Sequence, residues 1–336
     1  MGMKNTGHNG PKIVVIGGGT GLSTMLRGLK RYTDNLCAIV SMADDGGGSG
    51  VLRSELGMPP PGDIRNCLEA LANAEPTMQA LMAYRFPEGR LKGQSFGNLF
   101  LAALNGVCAS FDEAVRRMSE VLAITGRVLP VSNESTVLIA EFENGERVYG
   151  ESNIAAYKQR AQCRIRRVLL SPENPPALPE SLLAIGQADL IVIGPGSLYT
   201  SLIPNFLTAG LAEAVSNSRA LRVYVLNIMT ECGETEGYSA ADHIRALFGH
   251  GSPGLCTYCL ANDALPPDEI LARYAAEGSV PVPIDEAAVA ETGVTLVRAA
   301  VADVNGGLVR HDPLKLAAEL IRIFRENAET RIYGDR

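Results

Sequence analysis

Two glycine-rich runs in this chain each follow an apolar stretch of strand length and precede a helical pattern. The first, GGGTG at Gly17–Gly21, stands between the run KIVVI and a helix that opens at Leu22. Glycines let a backbone turn tightly and come close to a phosphate, whose charge a helix N-terminus favours. Gly18, Gly19, Thr20 and Gly21 are therefore candidate phosphate contacts. The second run, GPGS, begins at Gly194 and adds Gly196, Ser197, Tyr199, Thr200 and Ser201 ahead of a helix expected near Pro204. Two such cradles in one sheet suit a ligand with a diphosphate.

Four more loops carry polar chemistry. ADDGGGSG joins Asp44 and Asp45 to a glycine run that includes Gly47, and to Ser49. Adjacent carboxylates repel unless solvent, a donor or a cation relieves them, and a Mg²⁺ bridging protein to phosphate would do so. Two other readings stand beside that one: Asp44 as a ribose-binding acid at a strand end, or a polar turn in which one carboxylate caps the next helix. PPPGDIRN sets Asp63, Arg65 and Asn66 at the head of an apolar helix, with Asp63 also a candidate N-cap. GQSFGN puts Ser95 and Asn98 at the start of an almost wholly apolar helix, a dry place for an anion or a carbonyl. NIMTECGETEG offers Asn227 and Thr230 as base or ribose contacts. Cys232 is a poor nucleophile there, because Glu231, Glu234 and Glu236 surround it and negative neighbours raise a thiol pKa.

A sheet must position these loops. Strand-length apolar runs at Lys12–Ile16, Leu36–Met42, Asp189–Ile193, Leu221–Asn227 and Cys256–Ala261 alternate with helical patterns. That alternation predicts an α/β fold, a Rossmann-like doubly wound and mostly parallel sheet whose ligands collect beyond the carboxyl ends of its strands. Residues 11–125 form the first half of this core, and 172–336 the second half with a C-terminal helix. Between them, 126–171 read as a small inserted β-rich lobe with strands at Arg127–Ser132, Thr136–Phe142, Arg147–Gly150 and Arg164–Ser171, and a tight turn at Asn144-Gly145. Alternation sets Arg164 and Arg166 on one face of a solvated edge strand. Residues 1–10 are expected to be a disordered leader.

Composition excludes other classes. With 30 basic against 37 acidic side chains, the net charge of −7 repels a nucleic-acid backbone. No apolar run is long enough to span a membrane, and the start lacks a secretory h-region, although Gly2 and Thr6 match the short N-myristoylation pattern. Seven scattered cysteines fit reduced thiols and hence the cytoplasm. Cys256 and Cys259 have a zinc-like spacing, but strand alternation sends them to opposite faces, and no second pair exists. Leu22 stands where a dinucleotide fingerprint needs its third glycine, so NAD is not expected. No G-x-x-x-x-G-K-S/T run exists for a Walker-type triphosphatase.

Taken in order, GGGTG, ADDGGGSG, PPPGDIRN, GQSFGN, GPGSLYTSLIPN and NIMTECGET resemble the CofD-like superfamily, and most closely its YvcK branch, the gluconeogenesis factors; HDPLKLA also fits. The resemblance implies a Rossmann-like core that binds nucleotide diphosphates, with UDP-sugars such as UDP-N-acetylglucosamine as the ligand class. It also implies a regulatory role in gluconeogenic carbon flux and cell shape. The CofD branch instead transfers 2-phospho-L-lactate from a guanosine diphosphate carrier to a deazaflavin with a divalent metal. On that analogy Asp44, Asp45 and Asp63 would hold Mg²⁺. Regulator and transferase share one nucleotide cradle, so the sequence does not separate them; if an enzyme, the chain is a phosphotransferase of the CofD type. The partner is a small nucleotide sugar or nucleotide diphosphate, and a homo-oligomer is compatible with the sequence. Three positions depart from the family wording: Gly48 replaces a common serine, Gln94 a common histidine, and Glu231-Cys232 a Gln-Pro pair. The last puts negative charge at the ligand rim.

Overall fold

The computed structural model describes residues 10–161 and 163–334. Seven parallel strands form the main sheet: β1 (Ile13–Gly17), β2 (Leu36–Val40), β3 (Arg127–Pro130), and then, beyond an insertion, β7 (Leu190–Ile193), β8 (Leu221–Val225), β9 (Tyr258–Asn262) and β10 (Thr295–Ala299). The insertion holds β4 (Val137–Phe142), β5 (Arg147–Tyr149) and β6 (Ile165–Ser171), and a final hairpin holds β11 (Ala302–Asn305) and β12 (Leu308–His311). The main sheet runs β10-β9-β8-β7-β1-β2-β3. Its central strands IVVIG, LCAIV and LIVI are buried at every residue, the pattern required of parallel strands covered on both faces.

Strand order reverses at β1. The chain moves outward through β2 and β3, then returns to the other side of β1, where Ile13 pairs Leu190 and Ile16 pairs Ile193. In a doubly wound sheet a crevice opens at this point, beyond the carboxyl ends of the two central strands. GGGTG follows β1 and GPGS follows β7, so the topology alone brings the two glycine runs together.

The helix Gly19–Leu29 carries the first run. Its apolar face, with Leu22, Met25, Leu26 and Leu29 all fully buried, packs on the helix Gly62–Leu71 and on the C-terminal helix Pro313–Gly334. Truncating such a leucine to alanine costs roughly 2–5 kcal/mol. The approach to the C-terminal helix is close enough that a Cβ at Gly28 would overlap the Pro313 carbonyl oxygen.

Two features differ from the sequence expectation. The strand Arg127–Pro130, assigned above to the lobe of 126–171, pairs parallel with β2 and forms the edge of the main sheet. The lobe sheet is β5-β4-β6, antiparallel, with Gly145 at φ +85° in the Asn144-Gly145 turn. The lobe also contains a helix, Glu151–Ala161, that no strand pattern announces. On the edge strand β6, Arg166 and Arg167 converge with Arg147 on Glu141, while Arg164 lies over the Tyr238 ring.

All seven cysteines are free. Cys256 and Cys259 are buried, and burial pushes both thiols up, Cys259 to about 12. Among the described residues no helix is long and apolar enough to cross a membrane. The leader and its Gly2 and Thr6 pattern lie outside the described residues.

Candidate functional site

Thr20 and its glycine neighbours wrap the end of β1 into a helix with no side chain of its own at the N-cap. Gly19 adopts φ +70°, a conformation that favours glycine. The loop after β7 packs directly against this turn: a Cβ at Gly21 would stand 2.6 Å from the Pro195 carbonyl oxygen, and one at Gly196 3.1 Å from that of Gly18. Gly196 thus serves the contact between the two loops. After Ser197 the chain makes a wide turn, in which Leu202 N–H donates to the Ser197 carbonyl five residues back, before the short helix Ile203–Phe206. Wide turns of this kind recur at functional sites.

A cleft of about 270 Å³ opens over these loops. Of the candidate phosphate, base and ribose contacts, Gly19, Thr20, Gly21, Gly196, Ser197, Ser201, Asn227 and Thr230 line it. Gly18, Gly194 and Thr200 are not among its lining residues. Thr230 is also a structural joint, pairing with Val280 through N–H and Oγ1 at 2.7 and 3.0 Å.

The sequence reading missed the opposite wall. Tyr274, Val309, Arg310 and His311 line it, the last three from β12. Ile228, Met229 and Val309 pack with Tyr274 into a small apolar cluster, a floor on which a flat ring can rest. Arg310 reaches across the cleft to within 3.3 Å of Thr20 Oγ1. His311 is held neutral at working pH, because burial pulls its pKa to about 4. The signal for this hairpin was present: Gly306-Gly307, both at positive φ, is a tight-turn dipeptide between Asn305 and Leu308.

Carboxylates already hold the cradle's donors. Asp63 Oδ2 accepts the Gly19 N–H at 2.7 Å. Glu231 Oε1 accepts the Ser197 hydroxyl at 2.7 Å, and Glu234 accepts the Tyr199 N–H at 3.0 Å and the Thr200 hydroxyl at 2.7 Å. Burial, and for Asp63 the nearby Asp44, pushes Asp63 up to about 6. Burial likewise raises Glu234 and Glu231. From the lobe helix, Glu151 faces Asp44, Asp63, Glu234 and Thr200, and burial raises it as well. The lobe helix thus packs beside the acids that hold the cradle, and Lys158 on the same helix pairs with Glu236.

The remaining predicted residues are not among those that line the cleft; Asp44 and Ser49 lie beside Gly62, next to the Asp63 that holds Gly19. Arg65 donates to Asn98, Asn66 and Glu69 at 2.9, 2.8 and 2.7 Å, and Ser95 caps the helix at Asn98 N. Gly47 opens the helix Gly47–Leu56 at φ +47°, and Ser49 is buried in its first turn. The three acids assigned to metal have separate duties: Asp44 accepts from Gly46 N–H, Asp63 from Gly19, and Asp45 from both the N–H and hydroxyl of Ser152 at 2.8 and 2.7 Å. Among the described residues no three His, Cys, Asp or Glu side chains form a metal-holding group.

The family described as 2-phospho-L-lactate transferase CofD matches residues 13–302, from β1 to the start of β11. The chain belongs to the CofD family. A relative in Thermoanaerobacterium thermosulfurigenes is 52% identical over 95% of this chain and 99% of its own. The gluconeogenesis factor of Bacillus subtilis is 47% identical over 94% of this chain and 99% of its own. A crystal structure of a Bacillus halodurans protein superposes with a TM-score of 0.89 at 43% identity, covering 93% of this chain and all of that one. Within the CofD family the chain thus stands with the gluconeogenesis factors.

Two departures from the family wording meet in space. A Cβ at Gly48 would come within 2.8 Å of Gln94 Oε1, so the Gln94 side chain occupies room that glycine at 48 leaves. The third departure, Glu231, lies on the cleft rim itself.

Proposed function

We propose that the chain binds a nucleotide diphosphate sugar of the UDP-sugar type in the cleft between β1, β7 and β12, and acts as a regulatory factor in carbon flux and cell shape. One observation carries the binding reading. Two glycine loops, a helix N-terminus and Arg310 converge at the point where strand order reverses, the place where open α/β sheets bind ligands. The helix end and Arg310 suit the diphosphate, and the Met229 and Tyr274 floor suits the base. The regulatory half rests on relatives named gluconeogenesis factor.

Mg²⁺ enters this reading as an ion carried in with the diphosphate, since Mg²⁺ commonly uses one or two carboxylates plus ligand phosphates. Asp44 and Asp63 each accept one backbone N–H and keep lone pairs for a cation, whereas Asp45 accepts twice from Ser152. A second reading, a CofD-type transferase, is supported by the match over residues 13–302. A deazaflavin acceptor needs a wide aromatic slot, and Tyr274 is the aromatic residue among those lining the cleft. A thermal-shift and calorimetric series with UDP-N-acetylglucosamine, GDP and NADH tests the proposal. Tightest binding of the UDP-sugar supports it, and tightest binding of NADH overturns it.

A further inference from the structure

Glu231 differs from the other carboxylates that hold cradle donors. Asp63 and Glu234 sit behind the cleft wall, whereas Glu231 lines the cleft beside Ser197. Glu231 and Arg310 are the charged side chains among the lining residues, and their formal charges cancel. An anionic ligand therefore meets one cation, one helix N-terminus and one anion on the cleft wall, with the Asp63 carboxylate behind Gly19. The position of the wall anion matters. Thr20, bonded to Arg310, and Ser197, bonded to Glu231, belong to different loops, so a diphosphate that reaches from the first loop toward the second moves from the cation toward the carboxylate.

A terminal phosphate monoester has a second pKa of about 6, so above neutral pH it carries close to two negative charges. A phosphate esterified on both sides carries one. The carboxylate also has lone pairs beyond the one used by Ser197, and these accept hydroxyl hydrogens, which a sugar offers and a phosphate dianion does not.

We infer that Glu231 is a specificity-determining residue that rejects a free terminal phosphate and admits a diphosphate whose far end is esterified to a neutral, hydroxyl-bearing group. This rests on the reading of the cleft as a nucleotide diphosphate site and adds the side chain that separates a nucleotide sugar from the free nucleotide.

Calorimetry on the full chain with UDP-N-acetylglucosamine, UDP and inorganic pyrophosphate tests it. Wild type is expected to prefer the sugar nucleotide to UDP. Glu231→Gln should tighten UDP and pyrophosphate by about tenfold or more and shift the sugar nucleotide far less, so the preference narrows. Glu231→Ala, measured in parallel with thermal melts of each variant, should narrow it in the same way. Ser197→Ala removes the hydrogen bond but not the charge, and should keep the preference even where overall affinity falls. If both nucleotides bind and Glu231→Gln leaves their ratio unchanged, the inference is overturned and the nucleotide reading stands. If no nucleotide binds either protein yet pyrophosphate binds the variant more tightly, the nucleotide reading falls and charge rejection by Glu231 stands. If pyrophosphate is also unaffected, both fall.

Discussion

Asp63 caps a helix other than its own: its Oδ2 lies 2.7 Å from the backbone N of Gly19, 44 positions earlier in the chain. The helix that contains Asp63 begins after Pro61 with no side-chain cap. The acid at the head of the third glycine-bearing loop thus closes the N-terminus of the helix after the first.

This geometry sets a pH dependence. The Asp63 carboxyl is raised to about 6 from an ordinary 3.8, so the folded state binds a proton that the unfolded state releases. Its contribution is fully present below the unfolded pKa and is lost as pH rises through about 6. Asp63→Asn, neutral at all pH, should flatten the stability curve between about pH 4 and 6. Asp63→Ala should cost about 1 kcal/mol through the lost cap. Denaturant titrations of the three proteins at several pH values decide both points.

A ligand that binds only the folded chain must stabilise it. At a hundredfold excess over its Kd, UDP-N-acetylglucosamine should add about 2.7 kcal/mol, and NADH at the same concentration much less. Melting curves across a concentration series check this.

Arg310 is exposed and donates to Thr20 in the first loop, so its loss should spare the fold. Arg310→Ala should weaken UDP-sugar binding by roughly tenfold to a hundredfold, because a charge-assisted hydrogen bond to phosphate contributes about 1.5–3 kcal/mol. An unchanged Kd with an unchanged melting temperature would remove β12 from the site.

Asp45 tests the metal assignment. Its carboxylate holds the start of the lobe helix through Ser152, so Asp45→Ala should destabilise the lobe by about 1 kcal/mol and speed amide exchange over residues 151–161. Any Mg²⁺ enhancement of nucleotide binding should survive that change and vanish in Asp44→Asn or Asp63→Asn. Calorimetry with Mg²⁺ and with EDTA separates the cases, and loss of the enhancement in the Asp45 variant alone would restore Asp45 as a ligand.

The central strands were legible because a parallel strand covered on both faces must be apolar throughout, and IVVIG and LIVI are. The glycine loops were legible because close approach leaves glycine little choice. Less visible was β3: RVLP is short and mixed, and only its neighbour β2 decides that it joins the main sheet rather than the lobe. The hairpin bearing Arg310 carried a readable turn, yet its strands are only four residues each and half exposed. The acids were hardest. Nothing local in GETEG tells that Glu234 reaches Thr200, 34 positions earlier in sequence, because the contact exists only once β7 and β8 lie side by side. Gly196 lines the cleft and also lies against the Gly18 carbonyl, so Gly196→Val would damage the loop contact itself as well as any ligand contact.

The close seat of Gly28 on Pro313 has a consequence for synthesis on the ribosome. The strand before GGGTG is made well ahead of its sheet partner β7, some 177 residues downstream, and ahead of Pro313, on which its helix rests. A growing chain that has made GGGTG cannot finish the turn around it until Pro313 has been added. The cleft is therefore assembled late relative to its first loop, and a chain cut short before Pro313 carries the whole loop sequence without the surface that holds it in place.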